Sequence, residues 1–441
     1  MTKLHIGFDD TDSPNGGCTT YIAALIVEKL NKMNINFIDY PNLIRLNPNV
    51  PWKTRGNGAL CLRLICPEKS IEKIMETIIH LIEKNSDLAY DGTDPGIVFL
   101  EGEIPEIVKD FAKKTEHSIL SIDETLKLAK KVNAKVIGFK KGRGIIGGLA
   151  AIGEDLKGEH TYEIISYRTL KNRNKPRCIK ASSVERMDTK SQNTFNNIDH
   201  ETGRILITPR GPDPILCGIR GETPEAVKWA YNEIKIEEPV ERWIIFRSNQ
   251  GTDAHLKKIS KVEDIQQFNP VVIKGEVSKS PQIIQGGHAI FTIKDKTGQV
   301  DCAAYKPTGI LNKITRKLIV GDVLTVYGSV RLNDPKDGFT INLEKIRITQ
   351  LAPKLLFVNP SCPESNNRLK SMGKNQGFRC EKCGFRDPNT QKSKIIEKRE
   401  IKVGFYITSP RSQRHLTKPF SRYGKEKNLA VKEMIQEWYY P

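Results

Sequence analysis

The chain has few cysteines. There are nine among 441 residues, an odd number, scattered except near the C-terminus, which argues against a disulfide framework and favours a reducing compartment. No apolar run approaches the roughly 18–20 residues that a membrane-spanning helix needs. The first ten residues, MTKLHIGFDD, lack the basic segment and following apolar segment of a secretory signal. We therefore expect a cytoplasmic protein without a membrane partner.

Acidic residues are in the minority. The chain has 70 Lys and Arg against 52 Asp and Glu, a net charge of +18. Residues 351–441 alone hold 19 basic and 8 acidic residues, a net of +11. Such a charge without an apolar anchor favours nucleic acid as the partner. Five aromatic residues suited to base stacking lie among the basic residues of this segment: Phe405, Tyr406, Phe420, Tyr423 and Trp438. A solvated tail without a nucleic-acid contact is the alternative.

The length predicts several domains rather than one core. Residues 1–115 alternate strands and helices, with a boundary that is acceptable anywhere up to 160. Residues 116–240 predict an α+β unit, including a strand at 178–184, and 241–268 a linker. Residues 269–350 contain five strand-like runs and one helix-like segment, which favours an OB barrel over a generic small β-barrel. Residues 351–441 form a basic C-terminal unit.

The strongest site signal is the sequence FDDTDSPNGGCTTY. It places Asp9, Asp10 and Asp12 at the end of a predicted strand, before a helix that begins at Thr19 and Thr20. Clustered carboxylates suit Mg²⁺, and a helix N-terminus suits phosphate. An ordinary acidic turn capped by Thr19 is the alternative. Since no Walker A sequence occurs, a P-loop NTPase is not indicated.

A second signal is a basic, glycine-containing loop. Lys53 and Arg55 precede Gly56, Asn57 and Gly58, an arrangement that aims two cations at phosphate oxygens while the backbone approaches closely. A solvated hairpin loop is the alternative.

A third signal is the proline-rich turn PRGPDPI. It presents one carboxylate, Asp213, beside Gly211, and fits either an amine or guanidinium ligand or an Asx-turn. The segments DGTDPG and KKGRGIIGG are weak signals on their own.

The last signal is a cysteine knuckle. Cys380 and Cys383 precede a glycine, and Cys362 lies upstream, but the residue that would complete an earlier knuckle is Ser365. Three thiolates leave one zinc position for an imidazole, a carboxylate or water. His415 is one candidate for it, and a ribbon without metal is the alternative.

Taken together, these segments resemble the archaeal isoleucine-tRNA 2-agmatinylcytidine synthetase (TiaS) family. The resemblance runs in order through the motifs HIGFDDTDSPNGGCTTY, IRLNPNVPWKTRGNGA, DGTDPG, RGIIGGLAAIG, TPRGPDPILCGIRGE and FRSNQGTDAH, then the OB segment and the ribbon. It implies a multidomain α+β protein with a kinase-like α/β domain, a ferredoxin-like agmatine-binding domain, an OB fold and a zinc-ribbon-like domain that binds tRNA. The implied activity is ATP-dependent ligation of agmatine to C2 of the wobble cytidine in the CAU-anticodon isoleucine tRNA, for decoding of AUA. The C2 oxygen is phosphorylated first, and ATP ends as AMP.

The resemblance also implies residue roles. Asp9, Asp10 and Asp12 would hold Mg²⁺ and the ATP phosphates. Thr19 matches a threonine of the family that contacts the region of the target cytidine and can itself be phosphorylated. The remaining nucleotide-site residues would be Thr20, Lys53, Arg55, Gly56, Asn57 and Gly58. Asp213, with Gly211, is our choice for agmatine on charge alone. Ser365 departs from the four-cysteine ribbon of the family and leaves zinc open.

Two other hypotheses are compatible with the residues alone. One is a non-catalytic RNA-binding factor that uses the OB fold and the basic tail. The other is a Mg²⁺-dependent phosphotransferase that acts on a different RNA.

Overall fold

A computed structural model describes residues 1–332, 338–427 and 433–441. The first part of the chain alternates strands and helices as predicted. Its elements are β1 (Thr2–Asp9), α1 (Thr19–Lys32), β2 (Asn36–Phe37), β3 (Asn42–Arg45), β4 (Gly58–Cys66), α2 (Ile71–Asn85), β5 (Gly96–Glu101), α3 (Glu106–Thr115), α4 (Ile122–Lys131), β6 (Lys135–Gly138) and α5 (Gly144–Gly153).

The second part adds strands with two further helices packed nearby. Its elements are β7 (Thr161–Arg168), α6 (Ala181–Lys190), β8 (Thr194–Phe195), β9 (Ile198–Asp199), β10 (Arg204–Ile205), β11 (Ile215–Gly221), α7 (Pro224–Glu233) and β12 (Val240–Ser248). Helix α7 begins where the sequence predicts, because the Thr223 hydroxyl accepts a hydrogen bond from the Ala226 N–H.

One large sheet runs through both parts, with strand order β6-β5-β1-β4-β3-β12-β7-β11-β8. The two parts meet where β12 pairs in parallel with β3, while β12 pairs antiparallel with β7. The catalytic candidates of the first part and those of the second therefore lie along one continuous sheet.

Two sequence predictions are wrong in this region. The run 178–184 is not a strand: helix α6 covers Ala181–Lys190 and buries Ser183, Val184 and Met187, which share one helical face. The start of the predicted linker 241–268 is instead β12, which lies at the centre of the large sheet with Ile244, Ile245 and Phe246 buried.

The OB barrel is confirmed. It contains β13 (Lys257–Lys258), β14 (Pro270–Ile284), β15 (His288–Lys294), β16 (Gln299–Ala304), α8 (Ile310–Thr315), β17 (Val323–Leu332) and β18 (Phe339–Gln350). Strands β14 and β17 pair with each other, and β16 pairs in parallel with β18, which closes the barrel. It has its own hydrophobic core.

The C-terminal part first forms a small ribbon and then returns to the other domains. Its strands are β19 (Lys354–Val358), β20 (Lys370–Ser371), β21 (Phe378–Arg379), β22 (Arg386–Asp387), β23 (Ser393–Glu397), β24 (Gly404–Ile407) and β25 (Tyr439–Tyr440). Strand β24 pairs with β18 of the barrel, and β25 pairs with β12 of the large sheet.

The returning segment uses several of its charges inside the protein. Arg422 is fully buried and pairs with Glu222 and Glu159, and Arg411 pairs with Asp199. Trp438, one of the aromatic residues that the sequence offers for base stacking, is buried and packs instead in the core of the large sheet. Among the helices described, none is both long and apolar enough to cross a membrane.

Candidate active site

The acidic segment forms a tight turn between β1 and α1. Asp10 adopts a left-handed backbone conformation (φ 62°), which is uncommon outside glycine and marks functional strain when it occurs at a site. The Thr11 hydroxyl donates to the Thr19 hydroxyl over 3.0 Å, so Thr19 is fixed at the start of α1. The residue before the helix, Cys18, provides no side-chain cap, and the first-turn N–H groups remain available for an anion.

The three aspartates have different environments. Asp9 is enclosed, and its burial together with the neighbouring Asp10 carboxylate raises its pKa to about 8. The Asp10 carboxylate accepts two hydrogen bonds from the Arg143 guanidinium, at 3.1 and 2.7 Å. Asp12 pairs with Arg55. Within the described residues these carboxylates do not converge on a single point as metal ligands do.

This corner nevertheless fits magnesium nucleotide. Mg²⁺ in proteins commonly takes one or two carboxylates, with phosphate oxygens and water completing its octahedron. Asp9 is a half-buried carboxylate with no guanidinium within ion-pair distance among the described residues. A cation beside it would relieve the repulsion between Asp9 and Asp10.

The basic loop is attached to the acidic turn. The Arg55 guanidinium donates to the Asp12 carboxylate and, over 2.8 Å, to the Gly17 carbonyl. The Asn57 amide donates to the Asn47 carbonyl over 2.7 Å. Arg55 thus lies at the acidic corner as expected, and Thr20, Gly56, Asn57 and Gly58 line the same cavity.

Lys53 has a different setting from Arg55. Lys53 lines both this cavity and a neighbouring cleft. Its pKa is lowered by burial and by the nearby positive charges of Arg414 and Arg331. The charges that act on Lys53 therefore belong to the OB fold and the C-terminal segment.

Sequence reasoning did not single out two residues at the acidic corner, Arg143 and Asp94. Besides holding Asp10, Arg143 lies 3.7 Å from the buried Asp94 carboxylate. The Asp94 carbonyl accepts the first N–H of α5, from Gly144. In the sequence, these two residues are marked only by the motifs RGIIGG and DGTDPG. Neither motif alone is specific enough to predict a site.

The second part of the chain forms the opposite wall of the cavity. Asp213 is buried, with carboxylate oxygens 3.3 Å from the Arg177 guanidinium and 3.7 Å from that of Arg55. Burial raises its pKa, and the two arginines oppose that shift. The Gly211 carbonyl accepts from Arg177 over 3.0 Å. The PRGPDPI turn therefore faces the KTRGNG loop, and Arg55 bridges Asp12 and Asp213.

A further polar group, absent from the sequence-based candidates, covers the floor of the cavity. Glu163 of β7 accepts hydrogen bonds from Arg220 over 3.1 Å and from the Gln250 amide over 2.5 Å. His415 lies 3.0 Å from Arg220 and 3.1 Å from Gln250. Desolvation and the positive charges of Arg45 and Arg220 lower the pKa of His415 well below its usual value.

The suggestion that His415 completes the zinc site is therefore wrong. The three cysteines form their own cluster: their sulfur atoms all lie within 4.8 Å of one another. Ser365 Oγ is 3.2 Å from Cys380 Sγ, at the place of the missing thiol. This donor set fits zinc, with one ligand position not filled by cysteine.

The whole cavity has a volume of about 470 Å³. It is large enough for small-molecule ligands and lies where the acidic turn, the basic loop and the second-domain wall meet. A kinase-like α/β unit with such a cavity, joined to an OB fold and a ribbon, defines a class of multidomain proteins. This class combines a nucleotide-binding catalytic unit with nucleic-acid-binding modules.

Comparisons with known proteins agree with this class. Family models match in succession: the TiaS TCKD domain at 5–141, the TiaS FLD domain at 142–255, an OB-fold nucleic acid binding domain at 271–349 and the TiaS C-terminal zinc ribbon domain at 359–401. The isoleucine-tRNA 2-agmatinylcytidine synthetase TiaS of Staphylothermus marinus is 43% identical, covering 98% of this chain and 96% of that protein.

Two solved structures are also similar. A complex of TiaS with its isoleucine tRNA and ATP has a TM-score of 0.87 at 37% identity, covering 98% of this chain and 99% of that one. A complex of TiaS with the same tRNA, AMPCPP and agmatine has a TM-score of 0.84 at 36% identity, covering 96% and 98%. The chain belongs to the TiaS family of isoleucine-tRNA 2-agmatinylcytidine synthetases, which confirms the resemblance and the fold class predicted from the sequence.

Proposed function

We propose that this protein uses ATP to join agmatine to C2 of the wobble cytidine of the CAU-anticodon isoleucine tRNA. The observation that carries the proposal is that the acidic corner, which is suited to phosphate, and the buried carboxylates Asp213 and Glu163 line one common cavity. That cavity occurs in a chain whose relatives, aligned over nearly their full length, are named for this reaction.

The chemistry requires two steps. The C2 oxygen of cytosine is a poor leaving group, so a phosphoryl group is first transferred to it from ATP. The primary amine of agmatine then attacks C2, a C–N bond forms, and the C–O bond breaks with release of phosphate. We expect AMP as the nucleotide product, which requires that the second anhydride bond of ATP is also cleaved. We assign that second phosphoryl group to the Thr19 hydroxyl, from which water releases it as phosphate, and since the substrate is tRNA we place the reaction in the cytoplasm.

The residues of the acidic corner would hold the nucleotide. Asp9, with Asp10 and Asp12 beside it, is the proposed anchor for Mg²⁺, which when bound supplies charge neutralisation to the phosphates. The first turn of α1, with Thr19 and Thr20, contributes N–H and hydroxyl donors. Arg55 and Arg143 add positive charge, and their carboxylate partners fix their positions.

Asp213 is the proposed partner of the agmatine guanidinium, with Gly211 beside it. It already holds two guanidinium groups of the protein, so its carboxylate has the charge and geometry for this ligand class. Zinc, if bound at Cys362, Cys380 and Cys383, would stabilise the ribbon as a tRNA-binding unit.

An Asp10→Asn variant tests the assignment of the corner. Asparagine tolerates the left-handed backbone of residue 10 but removes the charge that holds Arg143. We expect incorporation of labelled agmatine into tRNA to fall by about a hundredfold or more, with tRNA affinity unchanged. Asp123→Asn, an exposed position in α4, is the matched control. Full incorporation by Asp10→Asn would remove the corner from the mechanism.

A further inference from the structure

The active-site cavity continues into a second cleft, between the KTRGNG loop, the OB fold and the C-terminal segment. No Asp or Glu is among the described residues that line this cleft. Five basic residues line it: Arg45, Lys53, Arg55, Arg331 and Arg414. Arg45, Lys53 and Arg55 line both spaces. Anything that leaves the cavity on this side therefore passes through a basic environment.

Three of these cations have no ion pair with the described part of the protein. Arg55 pairs with Asp12, and Arg414 lies 3.7 Å from Glu344. The side chains of Arg45, Lys53 and Arg331 have no ion pair or hydrogen bond with any described residue. The Glu163 carboxylate acts on Arg45 from a distance, which leaves Lys53 and Arg331 as the two cations without a nearby carboxylate. Neighbouring cations without an anion repel each other, and a polyanionic ligand removes that cost.

The cleft is built by contacts among three distant segments. The Asn47 and Asn49 amides both donate to the Phe268 carbonyl, over 3.2 and 3.0 Å. Arg414 donates to Asn49 over 2.5 Å. Phe268 has a positive φ of 68°, which is strained for a bulky residue and persists only where surrounding contacts enforce it. The segments that carry the cations are thus held together before a ligand arrives.

An aromatic side chain completes the mouth of the cavity. Trp52, next to Lys53, lines the cavity and is 49% exposed. An exposed indole beside unpaired cations is the usual combination for binding unpaired nucleotides, where bases stack and phosphates meet positive charge.

We propose that this cleft binds the RNA phosphates that flank the target cytidine, with Lys53 and Arg331 as their main partners. The inference rests on the proposed function, because a flipped cytidine in the cavity must connect to the anticodon loop through its two neighbouring phosphates. It assigns Lys53 to the RNA backbone and leaves the ATP phosphates to Arg55, Arg143 and the helix α1 N-terminus.

A binding cycle between protein and RNA tests this assignment. The full chain, without ATP or agmatine, is titrated with an anticodon stem-loop carrying a CAU anticodon. One RNA has uncharged methylphosphonate linkages on both sides of the target cytidine, and a control RNA has them in the stem. Wild-type protein is compared with Lys53→Gln, Arg331→Gln, the double variant and Lys29→Gln, an exposed control on α1.

We expect the neutral linkages beside the target cytidine to weaken RNA binding by wild-type protein by about tenfold. The same linkages should weaken RNA binding by the double variant by less than about twofold. Each single variant should lower the slope of log K against log salt by roughly 0.7–0.9, the value for one phosphate contact. Affinity for a nonhydrolysable ATP analogue should not change in any variant. Lys29→Gln should behave as wild type.

Three results would overturn the proposal. The neutral linkages could reduce RNA affinity equally in wild type and double variant, or not reduce it in wild type at all. The third result is a lower affinity of Lys53→Gln for the ATP analogue. The last would return Lys53 to the nucleotide site. If the double variant does not fold, the wild-type titration and the single variants still decide. Since no agmatine is used, failure of the ligation reaction would appear separately, in the incorporation assay.

Discussion

At the scale of single residues, the position of Asp9 depends on a glycine in another element. A Cβ atom added to Gly147 would overlap the Asp9 carboxylate. Helix α5 can therefore lie directly on the end of β1 only because residue 147 has no side chain. The same close approach places the helix beside the acidic turn that we assign to nucleotide binding.

A Gly147→Ala variant tests whether the position of the Asp9 carboxylate matters for activity independently of the stability of the protein. Alanine favours a helix over glycine by about 0.5–1 kcal/mol, while the clash falls on the flexible carboxylate rather than on backbone. We expect the free energy of unfolding to change by less than about 1 kcal/mol and agmatine incorporation to fall at least tenfold, about 1.4 kcal/mol in the barrier.

Denaturant unfolding and the incorporation assay measure these two effects. Gly158→Ala is the control, because open space surrounds that position. Normal incorporation by Gly147→Ala would mean that the carboxylate of Asp9 need not be where the structure places it.

Residue-level sequence reasoning found the acidic triplet and the basic loop because each is dense within a few positions. It did not find Arg143, Asp94 or Glu163, since their meaning comes from partners far away in the chain, such as Asp10 for Arg143. It also proposed His415 for zinc by nearness in sequence, whereas the fold carries that residue to the active-site cavity.

At the scale of elements, the ribbon consists of two matching turns. In each, a backbone N–H donates to the carbonyl of the first cysteine, from Asn366 to Cys362 over 2.9 Å and from Gly384 to Cys380 over 3.1 Å. Asn366 and Gly384 both have positive φ. Ser365 therefore occupies the place that Cys383 occupies in the second turn.

Ser365→Cys should complete a four-thiolate site. We expect the variant to hold zinc against a chelator with at least tenfold higher affinity, about 1.4 kcal/mol. Its Co²⁺ form should show an additional thiolate-to-metal charge-transfer contribution. Ser371→Cys adds a thiol at an exposed position of β20 and is the control. Unchanged zinc retention would show that residue 365 does not face the metal.

Element prediction worked best where the pattern is local. The OB strands and α7 followed from alternation and capping, which neighbouring residues determine. Helix α5 is not among the helices that the sequence predicts, because its sequence, GIIGGLAAIG, contains glycines that only close packing explains. Strand β12 was assigned to a linker because its pairing with β3 joins positions about 200 residues apart.

At the scale of the whole molecule, the first two parts share one sheet and the chain end is tied back to it. Strand β25 pairs with β12, and the Ile435 N–H donates to the Tyr40 hydroxyl over 2.8 Å. The cavity thus draws residues from both parts and from the C-terminal segment. No local pattern reveals this closure, although the order of the motifs correctly indicated the family.

The central claim is that this cavity joins agmatine to a wobble cytidine. The most direct measurement is mass spectrometry of the nucleosides of an isoleucine tRNA transcript with a CAU anticodon, after incubation with the protein, ATP and agmatine. The account predicts a wobble nucleoside heavier than cytidine by agmatine minus one water, dependent on ATP and formed together with AMP. An unmodified cytidine after incubation with protein that binds both tRNA and ATP would contradict it.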